Sequence, residues 1–135
     1  MPQLFSALQN FLNEKTVFLF DGSGAVLNGL LHGLVLPLLA HYIGLPVKVH
    51  YLLTVFPVMY GCYSFFCFFN VNHKNPLWLR IIIGGNLLYC ALTAFLLLKF
   101  SQDLKIYGFV YFFLEFLVMA FVLFVERKIL KSITQ

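Results

Sequence analysis

Four runs of nearly unbroken apolar residues, over positions 16–43, 49–69, 77–98 and 106–125, dominate this chain, and each is long enough to cross a hydrocarbon layer as a helix. A bilayer core of about 30 Å takes about 20 helical residues to span. Inside it no water reaches the backbone, so a spanning segment must satisfy its own amide and carbonyl groups. A helix does this alone. Strands do it only in a closed barrel, which four strands cannot form, and the runs lack the alternation of a barrel strand. Composition agrees: 61% of the residues are hydrophobic and only 10% charged, with a mean hydropathy of +0.91. That leaves too little polar surface to cover a body in water. The chain reads as an integral membrane protein whose first partner is the lipid bilayer.

Polar or helix-breaking residues bound every run. Asn13, Glu14 and Lys15 precede the first, and Gly44, Pro46 and Lys48 follow it. Residues 70–76 (NVNHKNP) and 101–105 (SQDLK) make the remaining connections. Connections this short make neighbours antiparallel, so the expected fold is all-α: a single-domain, up-down-up-down four-helix bundle over residues 1–135. Basic residues collect on the cytoplasmic side of membranes. Lys15, Lys74, Arg80, Arg127, Lys128 and Lys131 fall on the side of both termini, and Lys48, Lys99 and Lys105 on the other. Both termini are therefore predicted to be cytoplasmic. Ahead of the first run, Leu4, Phe5, Leu8, Phe11 and Leu12 recur at helical spacing and predict a short interfacial amphipathic helix. A signal peptide would instead need a basic start and a small-residue cleavage site.

Polar side chains at membrane depth are costly and turn inward, so their register is informative. Asp21, Asn28 and His32 fall within about 20° of one line on the first helix. Beside them Gly22, Ala25, Gly29 and Gly33 form a stripe of small residues that lets a helix approach. Asn86, Tyr89 and Thr93 share a face of the third run, and Tyr107, Tyr111 and Glu115 step by four along the last. Glu115 stands out, in FFLEFLVMAF, because an ionised carboxylate there costs several kcal/mol unless paired or reached by water. At 1.5 Å per residue, Asn28, Asn86, Tyr89 and Glu115 all lie about 12 to 18 Å from the inner boundary. Tyr60 joins the lower edge of that layer, and His32 and Tyr111 form a tier at about 22 to 24 Å. Glu115, Asn28, His32, Asn86, Tyr89, Tyr111 and Tyr60 are thus the expected ligand- or proton-binding residues. Nearer the inner face, Asp21, Arg80 and Glu126 are expected to form a charge cluster, with Arg80 paired to one of the two acids.

The stretches FLFDGSGAVLNG (18–29), NLLYCALTAF (86–95) and YFFLEFLVMAFVLFVE (111–126) resemble a family of small, uncharacterised bacterial four-helix inner-membrane proteins. Members show an Asp-Gly-x-Gly-Ala start to the first helix, Asn-Leu-Leu-Tyr-Cys in the third and Tyr-Phe-x-x-Glu in the fourth. The resemblance covers nearly the whole chain and implies a bacterial inner-membrane location. It makes Asp21, Gly22, Gly24, Asn86, Tyr89 and Glu115 the motif-bearing positions and lends no activity.

Other chemistries find little support in the residues. His32, His41, His50 and His73 are scattered, without metal-binding spacing, so no metal is expected. His41 and His50 approach the outer boundary, an ordinary place for histidines, and no haem or other cofactor is expected. Ser23 and Ser64 have no base in their own helices, and Cys62, Cys67 and Cys90 lie in apolar runs as packing residues, so an enzyme is not expected. The DGSG stretch lacks the lysine of a phosphate loop. The net charge of +4 is spread between apolar runs, which suits anionic headgroups and not nucleic acid. Two readings remain. In one, a buried polar chamber binds or moves a small solute or lipid-like ligand, linked to a proton at Glu115. In the other, the polar layer is interhelical glue, and the glycine stripe joins the chain to a second copy or a larger membrane partner.

Overall fold

The computed structural model describes Pro2, Gln3, Ser6 and residues 15–70 and 75–134. The interfacial helix expected ahead of the first run lies, as an element, outside the described residues, and so does Lys74. Helix α1 (Thr16–Leu30) passes through a π-helical turn (Leu31–Val35) into the short helices α2 (Leu36–Leu38) and α3 (Ala40–Ile43). Three long helices follow: α4 (Val47–Asn70), α5 (Pro76–Lys99) and α6 (Ile106–Thr134). Among the described residues there is no strand, and four helical stretches are long and apolar enough to cross a membrane. This is a helical membrane protein, as the apolar runs require.

The first run is not one uninterrupted α-helix. Pro37 has no amide to offer the Gly33 carbonyl, so α-helical pairing fails just where the π turn stands. The chain recovers for one turn, and the Leu39 amide bonds back to Val35 and Leu36 at 3.3 and 3.0 Å. The segment ends at Gly44, whose φ of 93° is left-handed. Helix α5 starts at the Asn-Pro step: the Asn75 side chain accepts from the Leu77 amide at 3.0 Å and Pro76 takes the first turn, where no amide is missed. The last helix continues past residue 125, where its apolar run ends. Glu126 there is buried and Ile129 packs among core residues, so the charged stretch keeps an inward face.

Two apolar clusters close the bundle at opposite ends. One gathers Val17, Phe18, Cys67, Leu79, Ile82, Ile83 and Ile129. The other gathers Leu36, Ile43, Leu45, Val49, Leu53, Leu96 and Phe112, with Tyr89 at its edge. Along their helices, Asp21 and His32, Ser64, Asn86, and Glu115 and Glu126 lie between these clusters, while His50 sits between Val49 and Leu53 of the second. Helices α1 and α4 approach closely along the small-residue stripe. A methyl group at Gly22 would meet the Phe65 ring at 3.1 Å, one at Gly33 would meet Thr54 at 3.3 Å, and Gly61 faces Ala25. The stripe is therefore spent within the chain.

At the far end the Lys105 amide donates to the Ile43 carbonyl at 2.9 Å, tying the α5–α6 connection to the end of α3. A side chain at Gly44 would strike the backbone of Asp103. Gly44→Ala should therefore destabilise the protein by more than about 1 kcal/mol, from strain at a left-handed φ together with the clash. Gly24 has open space around it, and Gly24→Ala should be neutral or stabilising by up to about 1 kcal/mol. Thermal unfolding in mild detergent compares the two.

Candidate functional site: a two-tier polar layer

The lower tier is built on one carboxamide. Asn86 Nδ2 donates to Asp21 Oδ1 at 3.2 Å and to both carboxylate oxygens of Glu126 at 3.0 and 3.1 Å. Ser64 donates to Asp21 Oδ2 at 2.6 Å. Four helices thus contribute one polar side chain each, and all four are buried. An amide nitrogen carries two hydrogens, enough for one to face each acid. Arg80 is exposed and makes no ion pair among the described residues. The cluster expected around it is corrected accordingly: Asp21 and Glu126 are held by neutral donors, because α5 presents Asn86 inward and turns Arg80 away.

The upper tier centres on Glu115, which turns into the bundle, with its side chain 11% exposed. Tyr89 donates its hydroxyl hydrogen to Glu115 Oε1 at 2.8 Å and accepts from Asn28 Nδ2 at 3.1 Å. His32 Nε2 lies 3.2 Å from Glu115 Oε1 and 3.2 Å from the Tyr89 oxygen. Tyr111 and Phe112 flank the His32 ring, Tyr111 edge-on with centroids 5.9 Å apart. The π turn is what aims His32: it rotates the helix at this one level, a distortion found often at functional positions.

Of the residues expected from the sequence, Asn28, His32, Tyr89 and Glu115 meet in one hydrogen-bonded group, with Tyr111 against it. Asn86 belongs instead to the lower tier, with Asp21 and Glu126. Tyr60 stands outside both tiers. Its ring fills the space over Gly85, where a methyl group would come within 2.7 Å of it, and lies near Phe56.

Two participants escaped sequence reasoning. His50 is fully buried, with its ring 6.0 Å from that of His32, and Ser64 supports Asp21. A signal existed. His50, Leu53, Pro57, Gly61 and Ser64 recur at intervals of three and four along α4 and all are buried, so they mark one inward face. Neither His50 nor Ser64 is unusual for its position in composition, and only the periodicity joins them.

Every buried side-chain polar atom left without a partner among the described residues lies on the upper-tier side. They are His32 Nδ1, both ring nitrogens of His50, Thr93 Oγ1 and Glu115 Oε2. The lower tier has none. No group of three or more metal-ligating side chains is gathered among the described residues. Comparison with family models, with curated proteins and with solved structures finds no match.

Removing the shared donor of the lower tier should be costly. Asn86→Leu leaves two buried carboxyls facing each other without an amide between them, and should cost about 2 to 4 kcal/mol of stability. Arg80→Gln should leave the unfolding midpoint where it is. Melting both variants in the same detergent checks the pair.

Proposed function

We propose that this protein is a small multi-pass membrane protein whose buried polar chamber binds or moves a small solute, with a proton exchanged at the Glu115–His32 pair. The single observation that carries this reading is the unfinished hydrogen bonding around Glu115. Its carboxyl is held inward by Tyr89 and His32, yet Oε2, His32 Nδ1 and both His50 ring nitrogens have no partner among the described residues. Buried polar groups in native structures are almost always satisfied, by protein, water or ligand. Intramembrane ionisable groups left open mark solute or proton pathways.

In the same proposal the four helices cross the membrane alternately. The bonds through Asn86 and Tyr89 are compatible with it: Asp21 and His32 on the first run face Glu126 and Glu115 on the last, 11 residues apart in opposite directions. Both termini then lie on the cytoplasmic side of a bacterial inner membrane, following the basic residues. The alternative use of the glycine stripe, as a surface for another chain, loses support because α4 occupies it.

Glu115→Gln keeps shape and most hydrogen bonds while removing the titratable group. In reconstituted vesicles it should retain the fold and abolish pH-dependent solute binding or flux; an unchanged pH response would refute the proposal. A tag after Gln135 should be inaccessible to an impermeant reagent in intact cells and become accessible on lysis.

A further inference from the structure

The hydrogens in the upper tier can be assigned one at a time. The single hydroxyl hydrogen of Tyr89 goes to Glu115 Oε1, and its oxygen already accepts from Asn28. With Glu115 as a carboxylate, neither it nor Tyr89 offers a hydrogen to His32 Nε2, which lies 3.2 Å from both. Nε2 must therefore carry its own hydrogen, and a neutral His32 has a bare acceptor at Nδ1. Glu115 Oε1 then accepts from two donors, while Oε2 accepts from none among the described residues. The two open positions nearest one another in chemistry are thus both acceptors, one of them anionic.

Among the described residues no lysine or arginine pairs with Glu115. The titratable groups facing Glu115 are His32 from the π turn, His50 from α4, Tyr89 and Cys90 from α5, and Tyr111 from its own helix. His50 adds one acceptor and one donor, because a neutral imidazole carries a hydrogen on only one of its two nitrogens, and both lack a partner among the described residues. A ligand that completes the Glu115 carboxylate together with the His32 acceptor would be positive and would donate hydrogen bonds.

We infer that Glu115, His32 and His50 together bind a small cation bearing N–H donors, of the ammonium class, in exchange for a proton. The inference rests on the polar-chamber reading above and names its substrate class. The exchange balances at one atom. With a proton on Nδ1, His32 is a cation beside the Glu115 carboxylate, the pair is neutral, and Nδ1 presents a hydrogen where the ligand's own donor would go. When that proton leaves, Nδ1 becomes an acceptor and the carboxylate is left to pair with the arriving cation. One proton departs for each cation bound, and the charge inside the membrane is conserved. An anionic solute would be repelled by the Glu115 carboxylate, and a quaternary ammonium has no hydrogen to donate.

The test uses the purified full chain in mild detergent, with methylammonium as probe and tetramethylammonium as the cation that lacks N–H donors. Methylammonium should bind, release protons on binding, and bind more weakly as the pH falls; tetramethylammonium should not bind. Glu115→Gln should abolish binding. His50→Leu should weaken it by about tenfold, the loss of one charge-assisted hydrogen bond. The same variant should melt at the wild-type temperature or above, because an unpartnered buried ring is replaced by an apolar side chain. A His50 with a purely structural role would instead lower the melting temperature and leave the affinity alone. Equal binding of tetramethylammonium, or no methylammonium binding, overturns the inference. If Glu115-dependent, pH-linked flux of some other solute persists in that case, the wider proposal stands and only the substrate class falls. Loss of every Glu115-dependent pH response removes both.

Discussion

Three acidic side chains inside an apolar bundle must each find a donor, and two side chains on α5 supply most of them. Asn86 and Tyr89 stand three residues apart, close to one turn, and reach Asp21 and Glu126 on one level and Glu115 on the next. Leaving a buried carboxylate without such donors costs several kcal/mol, more than the net worth of most single contacts in the bundle. Helix α5 is thus fixed in rotation about its axis. A turn of one residue, about 100°, would withdraw both donors at once. Its apolar neighbours Leu79, Ile82, Ile83 and Leu96 follow into the two end clusters. Packing and polar satisfaction select the same rotation, which is the consistency expected of a sequence with one fold.

The pair α1 and α4 is fixed by a different means. Hydrocarbon tails are as apolar as leucine, so helices in lipid gain from close packing and not from leaving water. Gly22, Gly29, Gly33 and Gly61 let these two backbones approach, and Phe65 and Thr54 fill what space remains. The tight pairing explains how α1 tolerates the π turn at Leu31–Val35 and Pro37. Its neighbour holds it on both sides of the break, and His32 is delivered to Glu115 at the level where α-helical pairing lapses.

Much of the architecture was legible because hydrocarbon imposes a length on each helix and a penalty on each charge. The apolar runs and the short NVNHKNP and SQDLK connections carry that information directly. Helical periodicity also grouped Asn28 with His32 and Asn86 with Tyr89, since residues on one helix share a face by arithmetic alone. Relations between helices were less legible. Arg80 has the charge to pair with Asp21, but which way its side chain points depends on the rotation of α5, and Asn86 decided that rotation. Tyr60 lies at a compatible depth, yet depth carries no azimuth, and its ring went to the gap over Gly85. His50 was hidden for the opposite reason: near a helix end a histidine looks interfacial, and only the kinked end of the first run closes over it.

The two tiers differ in a way that separates structural from functional use of polar groups in lipid. If hydrogen bonding across helices served association alone, each donor and acceptor would gain by being filled, and the sequence would place partners for them. Asp21, Ser64, Asn86 and Glu126 fit that description, one side chain from each long helix with every polar atom buried for a purpose. The upper tier does not. His50 is fully buried and, among the described residues, neither ring nitrogen has a hydrogen-bond partner, so a leucine there would avoid the desolvation cost. The same holds for Glu115 Oε2, which has no partner among the described residues while Oε1 of the same carboxyl meets Tyr89 and His32. Stability therefore accounts for the lower set and argues against the upper one. In the proposed function, a bound solute whose own polarity completes these groups is what balances the upper set.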